Sequence, residues 1–590
     1  MHSSGNAHHV LVGGYKGAVT LSLSDPTTRL IILSPILKSK PLTMSLKTHL
    51  DVLRDSASQY SSRAVFKLPV LSPGSDDVQS WAPIIYPQFQ SDVERYARYW
   101  GRVLSDDGVS RRSVVGLWLA GLNYQDVLHI YGLARAGFIP QLFSLRLPNP
   151  DVIYELLRRA DASALIYDSS FRNVVTDCPL PRHSAEEVSE SDVEGVELAP
   201  LSEAALKPED IVMIFHTSGS TSGSPKLVPC SLRWLDSIIA KAEKVSRPKD
   251  PQRQDVTVWM GSMCHIGQTF MLLGALQHGS CTIQPTTIGF SSDELADMIR
   301  RCNLNRLNAF ASFLANHIRR ARQDPKLLGL LTGLDEVLYS GLPLGRDEEE
   351  FAIRSGIPLR NLFGNTECGA MLLSIGGDGE DSRLLQPIEG TSYDFTPVTP
   401  SSAVSATSSS SDTAHKNANA SLLELVIRSD SGDCPDESLR QPDGHYHTGD
   451  LFLEVKPGSY VSRGRDDDWI KSENSLRCDT KAIEDNVRTV CGEWIDECIV
   501  VGNGRPSPVL FVEPKDGSVN PDRLKRDVIR RTRPFHARRY LHERITSPNF
   551  IVVVPKGTLP RTATKGNIRR RAVEETFKET LDRIYGVTTS

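Results

Sequence analysis

Two hydrophobic periodicities alternate along most of this chain, and their order predicts its architecture. Val93, Tyr96, Ala97, Trp100, Val103 and Leu104 recur at helical spacing and give one apolar face. Ser91 followed three residues later by Glu94 has the form of a capping box, which predicts that this helix starts at Ser91. The uninterrupted apolar run 114–119 reads as a buried strand, and a second helical pattern over 127–134 stops at Gly137, with Pro140 beyond. Another strand, a helix over 152–160 and a strand over 164–167 come next, and 211–215 and 422–427 are further apolar runs. Strands apolar on both faces that alternate with helices predict parallel sheet covered on both sides. His129 lies inside this pattern and reads as a packing residue. Towards the C-terminus, 498–501, 509–512 and 550–554 predict a further, smaller set of strands.

Composition narrows the function classes. At 590 residues the chain can bury more than one core, so two domains are expected. A net charge of −5 argues against a general nucleic-acid binder. The ten cysteines are scattered, with no C-x-x-C pair and no Cys/His cluster at zinc spacing, which fits a reduced intracellular protein. No apolar run approaches a membrane span, no signal-peptide pattern opens the chain, and 587–590 is not a peroxisomal tripeptide, so a cytoplasmic location is expected. Residues 1–43 fit poorly with the rest of the chain and are expected to be a poorly ordered extension; they hold too few arginines for a mitochondrial address. The Ser/Ala-rich stretch 400–420 has almost no large apolar residues and predicts a disordered insertion.

Candidate chemistry starts at the end of the run 211–215. There Thr217, Ser218, Gly219, Ser220, Thr221, Ser222 and Gly223 alternate hydroxyls with glycines, and Ser224, Pro225 and Lys226 close the segment. Glycines let backbone N–H groups turn towards one point and the hydroxyls add donors, so the loop suits a polyphosphate. It is not a Walker loop, because no Gly-Lys-Ser/Thr follows Gly219 at the required spacing. Taken alone, it also reads as a flexible Ser/Gly connection. Four further segments come in order: Asn361, Leu362, Phe363, Gly364, Asn365, Thr366 and Glu367; Tyr446, His447, Thr448, Gly449 and Asp450; 464–471, with Arg465, Asp467 and Lys471; and 559–566, with Lys565 and Gly566.

These five segments together resemble the signatures of the adenylate-forming (AMP-binding) superfamily of acyl-CoA synthetases, peptide-synthetase adenylation domains and luciferases. In style they are similar to fungal stand-alone acyl ligases and adenylate-forming reductases. The resemblance implies an α/β protein: a large N-terminal domain, 44–463, of mainly parallel sheets flanked by helices, and a smaller mobile α+β C-terminal domain, 464–590, with its hinge at Asp467. It implies that 217–226 holds the β- and γ-phosphates of ATP, that the backbone at Ser340 and Gly341 flanks the adenine, that Asn361 meets the adenine amino group and that Phe363 stacks on the ring. Thr366 and Glu367 are implied at the phosphate and Mg²⁺, where a hard cation takes oxygen ligands. Asp450 is implied on the ribose hydroxyls, with Arg465 adding a charge-assisted contact. Lys565 is implied as the catalytic lysine that bridges the carboxylate and the α-phosphate.

The family's acyl-pocket segment falls at 259–284, with His265 and Gln268 as pocket residues. His265 has two readings, one at the pocket entrance and one as a core histidine at a strand end. Amino-acid-activating relatives carry an aspartate in this segment to pair with the substrate ammonium, and 263–273 has no carboxylate. A buried ammonium without a partner is costly, so the expected substrate is a carboxylic acid without an α-amino group. Three departures from the family pattern stand out. The phosphate loop is one residue longer, Asn474 replaces a usual glycine, and Lys565-Gly566 reverses the usual Gly-Lys order.

The expected reaction is ATP-dependent formation of an acyl-adenylate, then transfer to a thiol. Relatives that are reductases continue into a carrier domain and a nicotinamide-binding domain, and this chain has no G-x-G-x-x-G after Lys565. Coenzyme A is therefore the expected acceptor, with a carrier protein in trans as the alternative. A non-catalytic nucleotide- or acyl-binding relative is the rival from another class. The arginine-dense stretch 523–539 is either a solvated helix face or a surface for the phosphates of coenzyme A.

Overall fold

The computed structural model of the chain describes residues 46–144, 149–200, 206–217, 226–398, 422–465, 469–471, 477–537, 539, 543–561 and 568–586. The extension expected over 1–43 and the insertion expected over 400–420 lie outside the described residues, as do Ser218, Gly219, Ser220, Thr221, Ser222, Gly223, Asp467, Asn474 and Lys565.

The apolar runs form strands because both of their faces are covered. In a six-stranded sheet the order is Arg182–Ser184, Ala162–Tyr167, Val114–Leu119, Ile139–Ser144, Ile211–Thr217 and Lys226–Ser231. All of its pairings are parallel except the last. Along Val114–Leu119, Val115, Leu117 and Leu119 enter the largest core, while Trp118 enters a second cluster with Phe143, Leu157 and Leu165 on the opposite face. The period-2 geometry of a strand thus explains why the run is apolar throughout.

A second sheet has thirteen strands among the described residues. Its middle is parallel, in the order Leu359–Asn365, Glu336–Ser340, Arg306–Phe310, Val256–Val258, Cys281–Ile283 and Ala64–Leu71. Antiparallel strands extend it on both sides, and one side runs through Ser459–Arg465, Tyr446–Lys456 and Leu422–Ile427 to the edge strand Tyr393–Pro397. Leu338 and Leu362 enter the same core as Val115 and Leu117, so side chains of both sheets meet there. The helices Tyr86–Asp106, Tyr124–Arg135, Leu232–Val245 and Ile266–Gln277 contribute to that core as well.

The chain is α/β, with this large N-terminal domain of mainly parallel sheet and a smaller C-terminal domain. In the latter, Ile495–Val501, Val509–Pro514 and Ile551–Val553 form a three-stranded sheet against the helices Thr480–Cys491 and Pro521–His536. Its strands are the three predicted near the C-terminus, except that Phe550 belongs to a 3₁₀ turn ahead of the last one. Among the described residues no helix is long and apolar enough to cross a membrane.

The first predicted helix starts earlier than its sequence motif indicates. It spans Tyr86–Asp106, with Pro87 in its first turn and no side-chain cap, so Ser91 lies inside it. Tyr86 and Phe89 are fully buried, and that burial outweighs the capping box at Ser91. Asp92, expected within that box, instead accepts a 2.8 Å hydrogen bond from the Tyr124 hydroxyl and pairs with Arg95 at 2.8 Å.

This helix crosses Tyr124–Arg135 at Gly132, where a Cβ would lie 2.5 Å from the Tyr96 Cβ and 3.1 Å from its backbone carbonyl carbon. Gly132→Ala is therefore expected to lower stability by about 1–3 kcal/mol through overpacking. A urea or thermal denaturation midpoint reads this, and an unchanged midpoint would show that the two helices separate freely.

Candidate active site

Parallel strands end at one edge of the sheet, and loops at that edge converge. Phe310, Ser340 and Asn365 terminate neighbouring strands there, and Val256–Val258 runs on into 259–265 at the same edge. The Ser340 hydroxyl donates to the carbonyl of Leu362 at 2.7 Å, and the Asn361 N–H donates to the Ser374 hydroxyl at 2.9 Å. Gly341 has φ +90°, and a Cβ there would lie 3.1 Å from Phe310. Phe363 is half-buried, edge-on to Phe452 at 5.2 Å. Ser340, Gly341, Asn361 and Phe363 thus share one strand pair at the carboxyl edge.

The phosphate segment is anchored at both of its ends. Thr217 ends one strand and Lys226 begins the next, and the two are register partners across the hairpin. His216, just before the loop, stacks on Phe143 at 4.3 Å and shares a 2.8 Å hydrogen bond with the Leu142 carbonyl. Burial pulls its imidazole down to about 4, so it is neutral near pH 7.

Carboxylates gather on the other side. Asp450 and Arg465 are register partners across two antiparallel strands, and Arg465 Nη1 lies 3.4 Å from Asp450 Oδ1. Asp450 is buried, and its N–H donates to the Thr448 hydroxyl at 3.0 Å. Gly449, at φ +69°, leaves room for Arg465, whose Nη2 would lie 3.2 Å from a Cβ there. Burial raises the Tyr446 hydroxyl far above its ordinary pKa; Glu367, Cys368 and Asp450 add to that, and Arg465 opposes it. The charges of both Glu367 and Asp450 thus reach the Tyr446 hydroxyl. His447 sits beside them between Glu424 (3.2 Å) and Asp443 (2.9 Å). Partial burial depresses its imidazole, but the two hydrogen bonds raise it above the ordinary histidine value.

On the acyl side, His265 is half-buried rather than part of the core. It is the N-cap of helix Ile266–Gln277: its Nδ1 accepts from the Gly267 N–H at 3.0 Å, and its ring stands edge-on to Phe310 at 6.0 Å. Gln268 is buried, and its Oε1 accepts from the Met260 N–H at 2.8 Å, which holds the turn leading to His265. Phe310 carries no sequence signature, yet it touches both sides: a Cβ on Gly261 would lie 2.7 Å from its ring. Sequence motifs also pass over Trp234 and Lys241. Both donate to the backbone beside Glu367, and the one signal in the sequence is a lysine on an otherwise apolar helical stripe.

The residues present fit the expected ligands. Among the described residues no group of three or more His, Cys, Asp or Glu gathers to make a closed metal site. One carboxylate and one hydroxyl, Glu367 and Thr366, suit a hard cation that takes its remaining oxygens from phosphates and water.

Comparison with known proteins identifies the family. The AMP-binding enzyme family matches residues 54–394, and the AMP-binding enzyme C-terminal domain matches 467–588. The AMP-binding domain-containing enzyme iboA of Amanita muscaria (strain Koide BX008) is 36% identical over 525 residues, covering 87% of this chain and 98% of that protein. The adenylate-forming reductase stbB of Stachybotrys bisbyi is 23% identical over 510 residues, and the match spans 82% of this chain but 44% of the reductase. Among solved structures, O-succinylbenzoate coenzyme A synthetase (MenE) from Bacillus subtilis, in complex with ATP and magnesium ion, superposes with a TM-score of 0.67 at 15% identity, covering 89% of this chain and 99% of that one. The sequence motifs, the fold and these matches converge: the chain is a member of the AMP-binding, adenylate-forming enzyme family.

Proposed function

We propose that this enzyme activates a carboxylic acid lacking an α-amino group with ATP, forming an acyl-adenylate and pyrophosphate, and passes the acyl group to the thiol of coenzyme A. The observation that carries this reading is the convergence of Phe310, Ser340 and Asn365 at the carboxyl edge of the parallel strands, with Asp450 and Arg465 paired at 3.4 Å in the same sheet. Ser340, Gly341, Asn361 and Phe363 share the carboxyl edge of the sheet that leads to Glu367.

In this reading 217–226 takes the β- and γ-phosphates, Asn361 and Phe363 the adenine, and Asp450 and Arg465 the ribose. Mg²⁺, held by Glu367 and Thr366, supplies charge neutralisation on the phosphates when bound. Phosphoryl-type chemistry asks the protein chiefly for positioning and charge stabilisation. Lys565 bridges the substrate carboxylate and the α-phosphate from the C-terminal domain (464–590), and rotation at Asp467 withdraws it to admit the thiol. Exposed Arg526, Arg530 and Arg533 on helix Pro521–His536 supply an anion-binding face suited to the phosphates of coenzyme A.

The carboxylates outside 263–273 that could supply a counter-charge are otherwise engaged. Glu336 pairs with Arg306 and Arg360 at the start of its strand, at the edge opposite Ser340. Asp335 accepts from Arg253 and Asn305. Asp126, raised by burial to about 6 and opposed by N–H donors, accepts from the Leu122 N–H at 2.9 Å. The segment 263–273 itself contributes no counter-charge for an ammonium.

ATP–pyrophosphate exchange with matched acids tests the substrate class. An α-amino acid is expected to turn over about a hundredfold or more worse than its des-amino analogue, such as phenylalanine against 3-phenylpropionate. A preference for the amino acid would show a counter-charge in the pocket. Asp450→Ala is expected to raise the ATP KM about tenfold or more, since ribose contacts act on ground and transition states alike. A change confined to the acid's KM would overturn the ribose assignment. Lys565→Ala is expected to slow adenylate formation about a hundredfold while sparing thioester formation from supplied acyl-adenylate. Equal loss of both half-reactions would count against the role given to Lys565.

A further inference from the structure

Helix Leu232–Val245 comes directly after the strand that leaves the phosphate segment, Lys226–Ser231, and is capped by Ser231, whose hydroxyl accepts from the Trp234 N–H. Trp234, Ile238 and Lys241 lie on one stripe of it, at i, i+4 and i+7. Each meets a different point of the backbone 367–369. Trp234 Nε1 donates to the Glu367 carbonyl at 2.8 Å, and Lys241 Nζ donates to the Cys368 carbonyl at 2.7 Å. A Cβ on Gly369 would lie 2.7 Å from Ile238 Cδ1, so the glycine lets the helix approach. From the other side Asn365 Oδ1 accepts from the Cys368 N–H at 2.8 Å.

Lys241 is 2% exposed, and a charge so deep needs a partner. Asp433, 0% exposed, provides it at 2.6 Å and also accepts from the Ser431 hydroxyl at 2.5 Å and from the Tyr393 hydroxyl. Burial drives the Asp433 carboxyl up, but Lys241 and the two hydroxyls bring it below its ordinary value, so the pair is ionised. The backbone at 367–368 is therefore held at three polar atoms. The Glu367 carboxylate, by contrast, forms no ion pair among the described residues, and Glu367 is only half-buried.

We propose that Trp234 and the buried Lys241–Asp433 pair are positioning residues that hold the Glu367 carboxylate ready for the divalent cation on the nucleotide phosphates. This rests on the role given above to Glu367. The helix would also tie that carboxylate to the phosphate segment, because the two are joined by one rigid element. A ligand fixed in advance gives up little conformational freedom when the cation arrives.

Isothermal titration of ATP with saturating Mg²⁺ and again in EDTA gives an affinity ratio that reports how well the protein meets the cation, separately from how well it meets the nucleotide. Glu367→Gln is expected to bring the ratio close to one. Trp234→Phe keeps an aromatic side chain but loses the N–H donor together with the second ring; Lys241→Met with Asp433→Asn removes both charges together and leaves none unpaired. Each is expected to lower the ratio about tenfold, as outer-shell partners of a metal ligand do, with EDTA affinity near that of the unmodified enzyme. A ratio preserved in both variants but lost in Glu367→Gln overturns the positioning role and leaves Glu367 as the ligand. A parallel loss with and without Mg²⁺ overturns it too, since a merely structural part moves both. A ratio preserved in Glu367→Gln overturns the assignment of Glu367 itself and the inference with it.

Discussion

Strands that are apolar on both faces have to be covered on both faces, and this requirement arranges most of the molecule. Val115 and Leu117 turn into one core and Trp118 into another; Leu338 and Val337 divide in the same way. Parallel neighbours need crossover connections, so every loop that leaves a parallel strand opens at the same edge. Phe310, Ser340 and the residues around Asn365 are neighbours for that topological reason. The chemistry is laid over an edge that packing had already created.

Charge is handled differently in different parts of the large sheet. At the amino ends of its strands, Arg306 bonds to Glu336 at 2.6 Å and lies 3.3 Å from Asp255, and Arg360 closes on Glu336 at 3.4 Å. These buried charges are matched by partners, as burial demands. In the antiparallel strands, Asp450 lies 3.4 Å from Arg465, and Glu367, beyond the carboxyl end of its strand, has no ion partner among the described residues. An end that is neutral within itself suits a structural role.

Burial also accounts for the Lys241–Asp433 pair. Taking one member away leaves a charge without a partner, at about 3–5 kcal/mol, whereas an apolar pair of similar size is often no less stable. Net stability is thus a weak reason for it. The hydrogen bond from Lys241 to the Cys368 carbonyl, one residue past Glu367, is a better one. Buried polar groups of this kind define one geometry where an apolar contact would accept several.

Periodicity alone located the strands over 114–119, 211–215 and 422–427, because an apolar run that long has only a doubly covered sheet to go to. Motif order alone singled out Glu367, Asp450 and Arg465 as candidates, whose neighbours in sequence carry the pattern. It did not place the start of the first long helix, where burial of Tyr86 and Phe89 overrode the local cap at Ser91. Nor did it show that His265 caps a helix against Phe310, or that Asp450 meets Arg465 through antiparallel register. Trp234 and Lys241 reach the carbonyls of Glu367 and Cys368 across 133 and 127 residues of chain. Only the tertiary structure decided those contacts, because the partner of a backbone carbonyl is chosen by how a helix packs against a sheet, and periodicity records which face is buried but not what it is buried against.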